Sequence, residues 1–372
     1  MRRKRILFIG LGNVYGGAEI YLLRLIALLQ GDADICVLAA HPALLEQLST
    51  RPVTLIRFPL IVGRWRGLRW ILALLLVTYS ILRYRVDIVQ VNGFSEILML
   101  LPARLLGRRA IATRHLGFST GVNLGHLHAA SAANLIYKRF AILAHAVICV
   151  SDAVAKEVRD IVPNSRVVTV PNWVPSIPPF QYKPASGDGV LHLLFVGRLE
   201  KRKGLVVLLK ALETLDGVDL TVVGDGEDRS ELEKMAGELP VRFAGYHADP
   251  RTFYEQADVF VMPSLGPEGM PLVSLEAMSH GIPCILSDLD VHKEISENGR
   301  AALLFLKGDS VDLRKKIRLL SSEPAIRSSI ARKAYELIKA NHNPDTAKGA
   351  YMRVFGLIET NSAQTQESEI ML

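Results

Sequence analysis

Three cysteines in 372 residues, Cys36, Cys149 and Cys284, are too few and too far apart for a disulfide framework or a thiolate metal site. Their scarcity favours a reducing cytosol, with the thiols as small buried hydrophobes. The longest apolar stretch falls short of the roughly 20 residues needed to span a bilayer. The run behind the basic start Met1-Arg2-Arg3-Lys4-Arg5, from Ile6 to Ile9, is too short for the apolar part of a signal peptide. No sequence repeat is visible. Carboxylates are missing between Glu96 and Asp152, and residues 1–180 hold 21 Lys and Arg against 9 Asp and Glu. That half therefore carries +12 within an overall +7, the footprint of a domain that meets an anionic surface. The arginines are dispersed rather than interleaved with exposed aromatics, which argues for phospholipid over nucleic acid.

What is present is apolar residue in plenty, 49% of the chain, enough for two domains of ordinary size. Strand-like and helix-like segments alternate from Arg5 to Val170, which predicts a parallel sheet with helices on both faces. The break at Pro171-Asn172-Trp173-Val174-Pro175 and the polar stretch after it divide the chain. Residues 1–175 form a first domain, 176–189 a linker and 190–342 a second α/β domain, with 360–372 a polar mobile tail. Helices are expected over Ser95–Leu106 and Ala132–Ala144, among others. The segment Leu68–Leu82, flanked by Arg64, Trp65, Arg66, Arg83 and Arg85, fits two readings: a buried domain helix, or one that also dips into a membrane interface.

Several motifs fall at the ends of predicted strands. Gly10-Leu11-Gly12 to Gly16-Gly17-Ala18-Glu19 follows the first strand, where glycines let backbone approach a phosphate. A nicotinamide enzyme would want an acid after the second strand, and that end is Leu38-Ala39-Ala40-His41. The loop contacts a diphosphate, admits an acceptor, or is only a turn. Arg198 and Lys203, between Gly197 and Gly204, offer a forked cation and a point charge to phosphate, whereas Lys201 and Arg202 are expected to face solvent. Glu268 lies in a Gly/Pro-rich loop and Glu276 in the helix that follows, with Pro271 at the first helical position and free amides from Gly269 to Ser274. Ionised carboxylates accept from sugar hydroxyls. His115, after the strand Ala110–Thr113, stands at the cleft edge, where an imidazole contacts substrate or steers a proton. His126 and His128 lack metal-ligand spacing, and no metal ligand is nominated.

Together these residues resemble the family 4 retaining glycosyltransferases, of GT-B fold: α/β, two facing Rossmann-like domains with parallel sheets and an interdomain cleft. The resemblance rests on Gly197-Arg198-Leu199 to Lys203-Gly204, on Glu268 and Glu276 eight positions apart, and on Ala277-Met278-Ser279-His280-Gly281-Ile282-Pro283. Weaker matches are Gly16-Gly17-Ala18-Glu19 and Pro171-Asn172. The family's Asn-Gly is Asn172-Trp173 here, which affects the hinge. The resemblance implies that Arg198 and Lys203 neutralise the donor diphosphate. Glu276 would hold the ribose and Glu268 the hexose, helped by amides of Gly269, Met270, Leu272 and Val273. Gly245 and Tyr246 would lie near the base, and His115 with Gly16 and Gly17 would close from the other domain. A final helix near 345–358 would cross back onto the first domain.

The reading is a metal-independent hexosyltransferase that uses a UDP-, GDP- or ADP-sugar as donor substrate and needs no cofactor. Its acceptor would be a glycan or lipid-linked saccharide of bacterial surface-polysaccharide synthesis, at the inner face of the plasma membrane. The acceptor site would draw on first-domain loops such as Gly117–His128. Alternatives are a nucleotide-sugar 2-epimerase on the same fold and an inactive paralogue recruited to membranes.

Overall fold

The structure, a computed structural model, describes residues 2–12, 14–59, 66–93, 95–117, 135–163, 166–182 and 189–358. Seven strands open the chain: β1 (Arg5–Gly10), β2 (Asp34–Ala39), β3 (Thr54–Arg57), β4 (Ile88–Val91), β5 (Arg109–Arg114), β6 (Ala146–Cys149) and β7 (Val167–Thr169). Between them run α1 (Gly17–Leu29), α2 (Pro42–Ser49), α3 (Arg66–Arg83), α4 (Leu100–Leu105) and α5 (Asp152–Arg159). All strands pair parallel, in the order β3-β2-β1-β4-β5-β6-β7. Helices cover both faces, so central strands are continuous apolar runs rather than alternating ones: Ile6, Leu7, Phe8 and Ile9 are all fully buried.

The pattern then recurs with β8 (Leu191–Val196), α6 (Leu205–Leu212), β9 (Val218–Val223), α7 (Arg229–Ala236), β10 (Val241–Gly245) and α8 (Arg251–Gln256). It continues through β11 (Val259–Met262), α9 (Leu272–Ser279), β12 (Cys284–Ser287), α10 (Asp290–Ile295) and β13 (Leu303–Phe305). This second parallel sheet is ordered β10-β9-β8-β11-β12-β13. Each sheet reverses its direction of growth once, between β1 and β4 and between β8 and β11. Crevices open beyond the carboxyl ends of strands at such switch points, which is where a doubly wound sheet binds its ligand.

Helices α11 (Ser310–Ser322), α12 (Pro324–Asn341) and α13 (Pro344–Val354) close the chain. α13 lies on the first domain: the Tyr351 and Tyr21 hydroxyls are 2.6 Å apart, Phe355 meets Phe8 edge-on, and Lys348 pairs with Asp32 at 2.8 Å. At the crossing, His342 donates through Nδ1 to the Asn172 carbonyl at 2.7 Å, and Val174 N–H donates to the His342 carbonyl at 3.0 Å. A second interdomain tie joins Glu294 on α10 to the first amides of α5. Its two oxygens accept from Asp152 N at 2.9 Å and Ala153 N at 3.0 Å, placing a carboxylate at a helix N-terminus.

Some boundaries differ from expectation. The helix anticipated over Ser95–Leu106 begins as a 3-10 turn, Ser95–Met99, before α4. Of Ala132–Ala144, residues 132–134 lie outside the described residues, 135–140 are helical, and a 3-10 turn at Ala141–Leu143 ends the segment. α13 ends at Val354. Trp173, where the family has glycine, keeps a negative φ and is buried between Tyr21 and Tyr351, so the hinge is a packed aromatic joint rather than a glycine turn.

Within Leu68–Leu82, α3 has one buried and one exposed apolar face. Ala73, Val77 and Ile81 pack on the sheet, while Leu68, Ile71, Leu72, Leu75, Tyr79 and Leu82 form an exposed stripe at helical spacing. Leu75 is 62% exposed. Among the described residues no helix is long and apolar enough to cross a membrane. Arg64, Trp65 and the side chain of Arg66 lie outside the described residues.

Candidate functional site

The second-domain wall begins where β8 ends. Gly197 and Arg198 leave the sheet, and a 3-10 turn at Lys201–Lys203 follows. Gly204 then takes φ +69°, and a Cβ there would fall 1.9 Å from the Pro263 carbonyl. Only glycine permits that approach, which sets Lys203 beside the end of β11. Its ammonium donates to Glu268 Oε1 at 2.7 Å, and the Ser264 hydroxyl donates to the same oxygen at 2.8 Å. Lys203 and Glu268 are each 9% exposed. Burial opposes the Glu268 charge, but the Lys203 ammonium and then the Arg202 guanidinium outweigh it and hold the carboxyl at about 2. The two residues read from sequence as separate contacts, to phosphate and to hexose, are thus one ion pair.

Arg198 has a different setting. Its side chain is 38% exposed, stands 3.6 Å from Glu200, and projects toward the first domain. A Cβ on Gly16 would come within 2.5 Å of its Nη2. Lys201 is exposed, but Arg202 does not face solvent as anticipated. It is half-buried, donates to the Pro267 carbonyl at 3.2 Å and pairs with Glu200 at 2.7 Å. Its own carbonyl accepts from Leu265 N–H at 2.7 Å and Gly266 N–H at 3.0 Å. Arg202 therefore braces the loop that carries Glu268.

α9 starts one residue later than expected, with Pro271 as its N-cap and Leu272 first in the helix. Ser274 N–H and Leu275 N–H both donate to the Pro271 carbonyl, at 3.1 and 3.3 Å, so Ser274 is not a free amide. Leu272 and Val273 hold the unspent donors of the first turn. The Met270 carbonyl accepts from Asn172 Nδ2 at 2.7 Å, tying this helix start to the hinge. Glu276, midway along α9, is ion-paired to Arg24 of α1 and accepts from the Tyr254 hydroxyl at 3.0 Å.

The first-domain wall carries His115, Gly16 and Gly17. Asn92 Nδ2 donates to the Ala18 carbonyl at 2.8 Å, which turns Asn92 Oδ1 toward His115 Nε2, 3.0 Å away. Nε2 must then carry the proton, leaving Nδ1 as an acceptor. The imidazole packs edge-on against Tyr21 with centroids 4.6 Å apart. Its withdrawal from water, reinforced by the Arg114 guanidinium, lowers its pKa to about 3. His115 is therefore neutral at physiological pH, with Nδ1 available as an acceptor. Gly16 caps α1 with its N–H bound to Glu19 Oε2 at 2.9 Å, while nothing lies within 4 Å of a Cβ built on Gly17. Of the two, only Gly17 opens on empty space.

Behind this wall sits a buried acid. Glu96 Oε1 accepts from Leu11 N–H at 2.5 Å, and Arg69 of α3 donates to the Leu11 carbonyl at 2.5 Å. Burial, with Glu19 nearby, raises Glu96 to about 8. Gly245 ends β10 with φ +80°, and the exposed Tyr246 follows it. Burial and then the Tyr246 phenol raise the pKa of Tyr15. The loop Gly117–His128, with His126 and His128, lies outside the described residues from residue 118 on. Two Asp-x-Asp pairs are committed elsewhere: Asp32 to Lys348, Asp34 to Arg5, Asp288 to the Lys307 amide and Asp290 to Lys293. Among the described residues no three His, Cys, Asp or Glu side chains gather in a metal-binding cluster.

Known proteins resemble this chain in sequence and in fold. Residues 191–323 match the family described as Glycosyl transferases group 1, and residues 15–176 match Glycosyltransferase Family 4. A lipopolysaccharide core biosynthesis glycosyltransferase, LpsE of Rhizobium meliloti, is 30% identical over 175 residues, 46% of this chain and 50% of that protein. The phosphatidyl-myo-inositol mannosyltransferase of Mycobacterium leprae is 32% identical over 216 residues, 54% of this chain and 56% of that one. The chain thus spans about half the length of these curated relatives. In fold, the Anabaena HepE structure with UDP and glucose superposes with a TM-score of 0.80 at 21% identity, covering 96% of this chain and 100% of HepE. The outer-core galactosyltransferase WaaB, in its apo form, gives 0.73 at 19% identity over 95% and 100%. With both halves matched and the GT-B architecture in place, the chain belongs to glycosyltransferase family 4.

Proposed function

We propose that the protein is a retaining glycosyltransferase that moves a hexose or N-acetylhexosamine from a UDP-, GDP- or ADP-sugar to a glycan or lipid-linked acceptor, without a metal. The observation that carries this reading is the position of Arg198. It leaves β8 at the switch point of the second sheet, five residues before Lys203, and reaches Gly16 at the switch point of the first. A diphosphate between the walls meets the Arg198 fork, the Lys203 ammonium and the amides of Leu272 and Val273. These fixed charges stabilise the negative charge that develops as the C1–O(phosphate) bond breaks. The acceptor oxygen forms its bond to C1 on the same face, and its proton passes to the departing phosphate oxygen. Glu268 holds a sugar hydroxyl while paired to Lys203, and neutral His115 accepts from another through Nδ1.

The lipid-linked acceptor finds support in α3 and in the relatives. Between Gln47 and Ser151 the only carboxylates are Asp87, bound to Arg2, and the buried Glu96. The exposed stripe of α3 ends at the exposed Arg83 and Arg85. An apolar helix face with flanking cations, in a stretch of chain whose two acids are paired or buried, suits the headgroup region of an anionic leaflet, such as the inner face of a plasma membrane. Relatives named for lipopolysaccharide core synthesis and for a phosphatidylinositol acceptor fit this placement.

The test is release of nucleoside diphosphate from UDP-, GDP- and ADP-sugars in EDTA, with and without bacterial lipid extract. Acceptor-dependent release in EDTA supports transfer. Conversion of the donor sugar without any acceptor would point to an epimerase, and metal-dependent release would contradict the metal-free mechanism.

A further inference from the structure

Arg24 performs a task that nothing about an exposed-looking helix arginine suggests. It stands midway along α1 in the first domain, with its side chain 14% exposed. Nη1 donates to the Trp173 carbonyl at 3.1 Å, and Nη2 is ion-paired to Glu276 Oε1 of the second domain. The other oxygen of that carboxylate, Oε2, accepts from Tyr254 of α8 at 3.0 Å, and the same hydroxyl reaches the Val273 carbonyl at 3.3 Å. One planar guanidinium thus grips two acceptors on separate parts of the molecule. Neither acceptor is loose, because Trp173 is packed between Tyr21 at 5.7 Å and Tyr351 at 5.4 Å. Each carboxylate oxygen keeps a second lone pair, so the pinned Glu276 still has two acceptor positions side by side.

We propose that Arg24 is a positioning residue for nucleotide recognition. It fixes Glu276 in the orientation that receives the vicinal 2′- and 3′-hydroxyls of the donor ribose. Because it comes from the first domain and holds the hinge carbonyl, it also makes that recognition depend on the closed arrangement of the two domains. The inference rests on the reading of Glu276 as the ribose contact. A carboxylate held ready does not have to be ordered when the nucleotide arrives, and preorganisation of this kind is worth affinity.

The experiment is a two-by-two titration of wild type and Arg24→Ala with UDP and 2′-deoxy-UDP, or with GDP and its 2′-deoxy form where GDP binds more tightly. Wild type is expected to prefer the ribonucleotide by about tenfold, equivalent to 1.4 kcal/mol. Arg24→Ala should reduce that preference to about twofold or less while 2′-deoxy-UDP affinity stays nearly constant, a non-additivity that general loosening of the fold does not produce. Equal weakening of both nucleotides would overturn the proposal, and so would tighter UDP binding, since Arg24 would then be competing with the ribose. Wild type that binds both nucleotides equally would instead remove the ribose from Glu276, and wild type that binds neither would count against the proposed function itself. Should Arg24→Ala fail to fold, Arg24→Lys, which reaches one acceptor, and Tyr254→Phe, which frees Oε2, are both expected to show an intermediate preference. A wild-type ratio in both would overturn the proposal.

Discussion

The α-carbon of Gly269 lies against the backbone carbonyl of His115, so close that a methyl group at 269 would fall 1.6 Å from that oxygen and 2.7 Å from its carbon. The two residues belong to opposite walls, and backbone meets backbone, so neither yields by changing rotamer. Gly269→Ala must therefore hold the walls apart. Misplacing reacting groups by about 1 Å costs on the order of 100-fold in rate. The variant is expected to lose transfer by about that factor while retaining nucleoside diphosphate affinity, with a larger radius of gyration by solution X-ray scattering.

Lys203→Ala leaves the buried Glu268 carboxylate with only the longer Arg202 contact, 3.6 Å away, and should cost up to the roughly 3–5 kcal/mol of a broken buried ion pair. Lys203→Met combined with Glu268→Gln removes both charges and should recover most of the stability without the activity. Thermal melts and the transfer assay separate the two effects. The pH dependence has a definite sign. Glu268 is held at about 2, below its ordinary 4.5, so its contribution is complete above about pH 4.5 and is lost as pH falls toward 2.

Glu96 titrates the other way. Burial first, then repulsion from Glu19, lifts it to about 8 against the pull of the Leu11 and Asn92 amides and of Arg69. The folded protein thus keeps a proton that the unfolded chain gives up near 4.5. This contribution is full below pH 4.5, declines as pH rises and is gone above about 8. Glu96→Gln preserves an acceptor for Leu11 N–H and carries no such charge. Between pH 6 and 9 its melting temperature is expected to fall less than that of wild type, and at pH 9 to exceed it.

On α3, Ile71→Glu with Leu75→Glu places acids in the exposed stripe without touching the core. Sedimentation with vesicles rich in anionic phospholipid should show wild type bound at low salt and released by high salt, and the variant unbound at the same melting temperature. Ala73→Glu, on the buried face, should unfold the domain. Wild type that binds neutral vesicles equally would remove the electrostatic part of the membrane reading.

Much of this architecture was legible in the chain because the features concerned are local. Ile6–Ile9 and Leu193–Val196 are apolar runs each followed by glycine, and Arg198, Glu268 and Glu276 sit at spacings that a strand end and a helix start explain. What escaped is pairing across sequence. Lys203 and Glu268 neutralise each other across a sequence separation of 65, and Arg202, one residue away, is drawn inward because the loop at Leu265–Pro267 needs its carbonyl and its guanidinium. Arg24 looks like any arginine on an amphipathic helix until the hinge brings Trp173 and Glu276 to it. For α3, apolar content was visible, but the division into a core face and an exposed face depended on where the sheet lies.

The central claim is that Arg198 and its neighbours form a diphosphate site between two walls. Calorimetric titration of wild type and Arg198→Ala with UDP, GDP and ADP, and with the matching monophosphates, tests it most directly. One diphosphate should bind wild type clearly more tightly than its monophosphate, and Arg198→Ala should weaken the diphosphate by about tenfold or more, in keeping with the loss of a charge-assisted hydrogen bond. Wild type that binds no nucleoside diphosphate, or a diphosphate affinity indifferent to Arg198, would contradict the account.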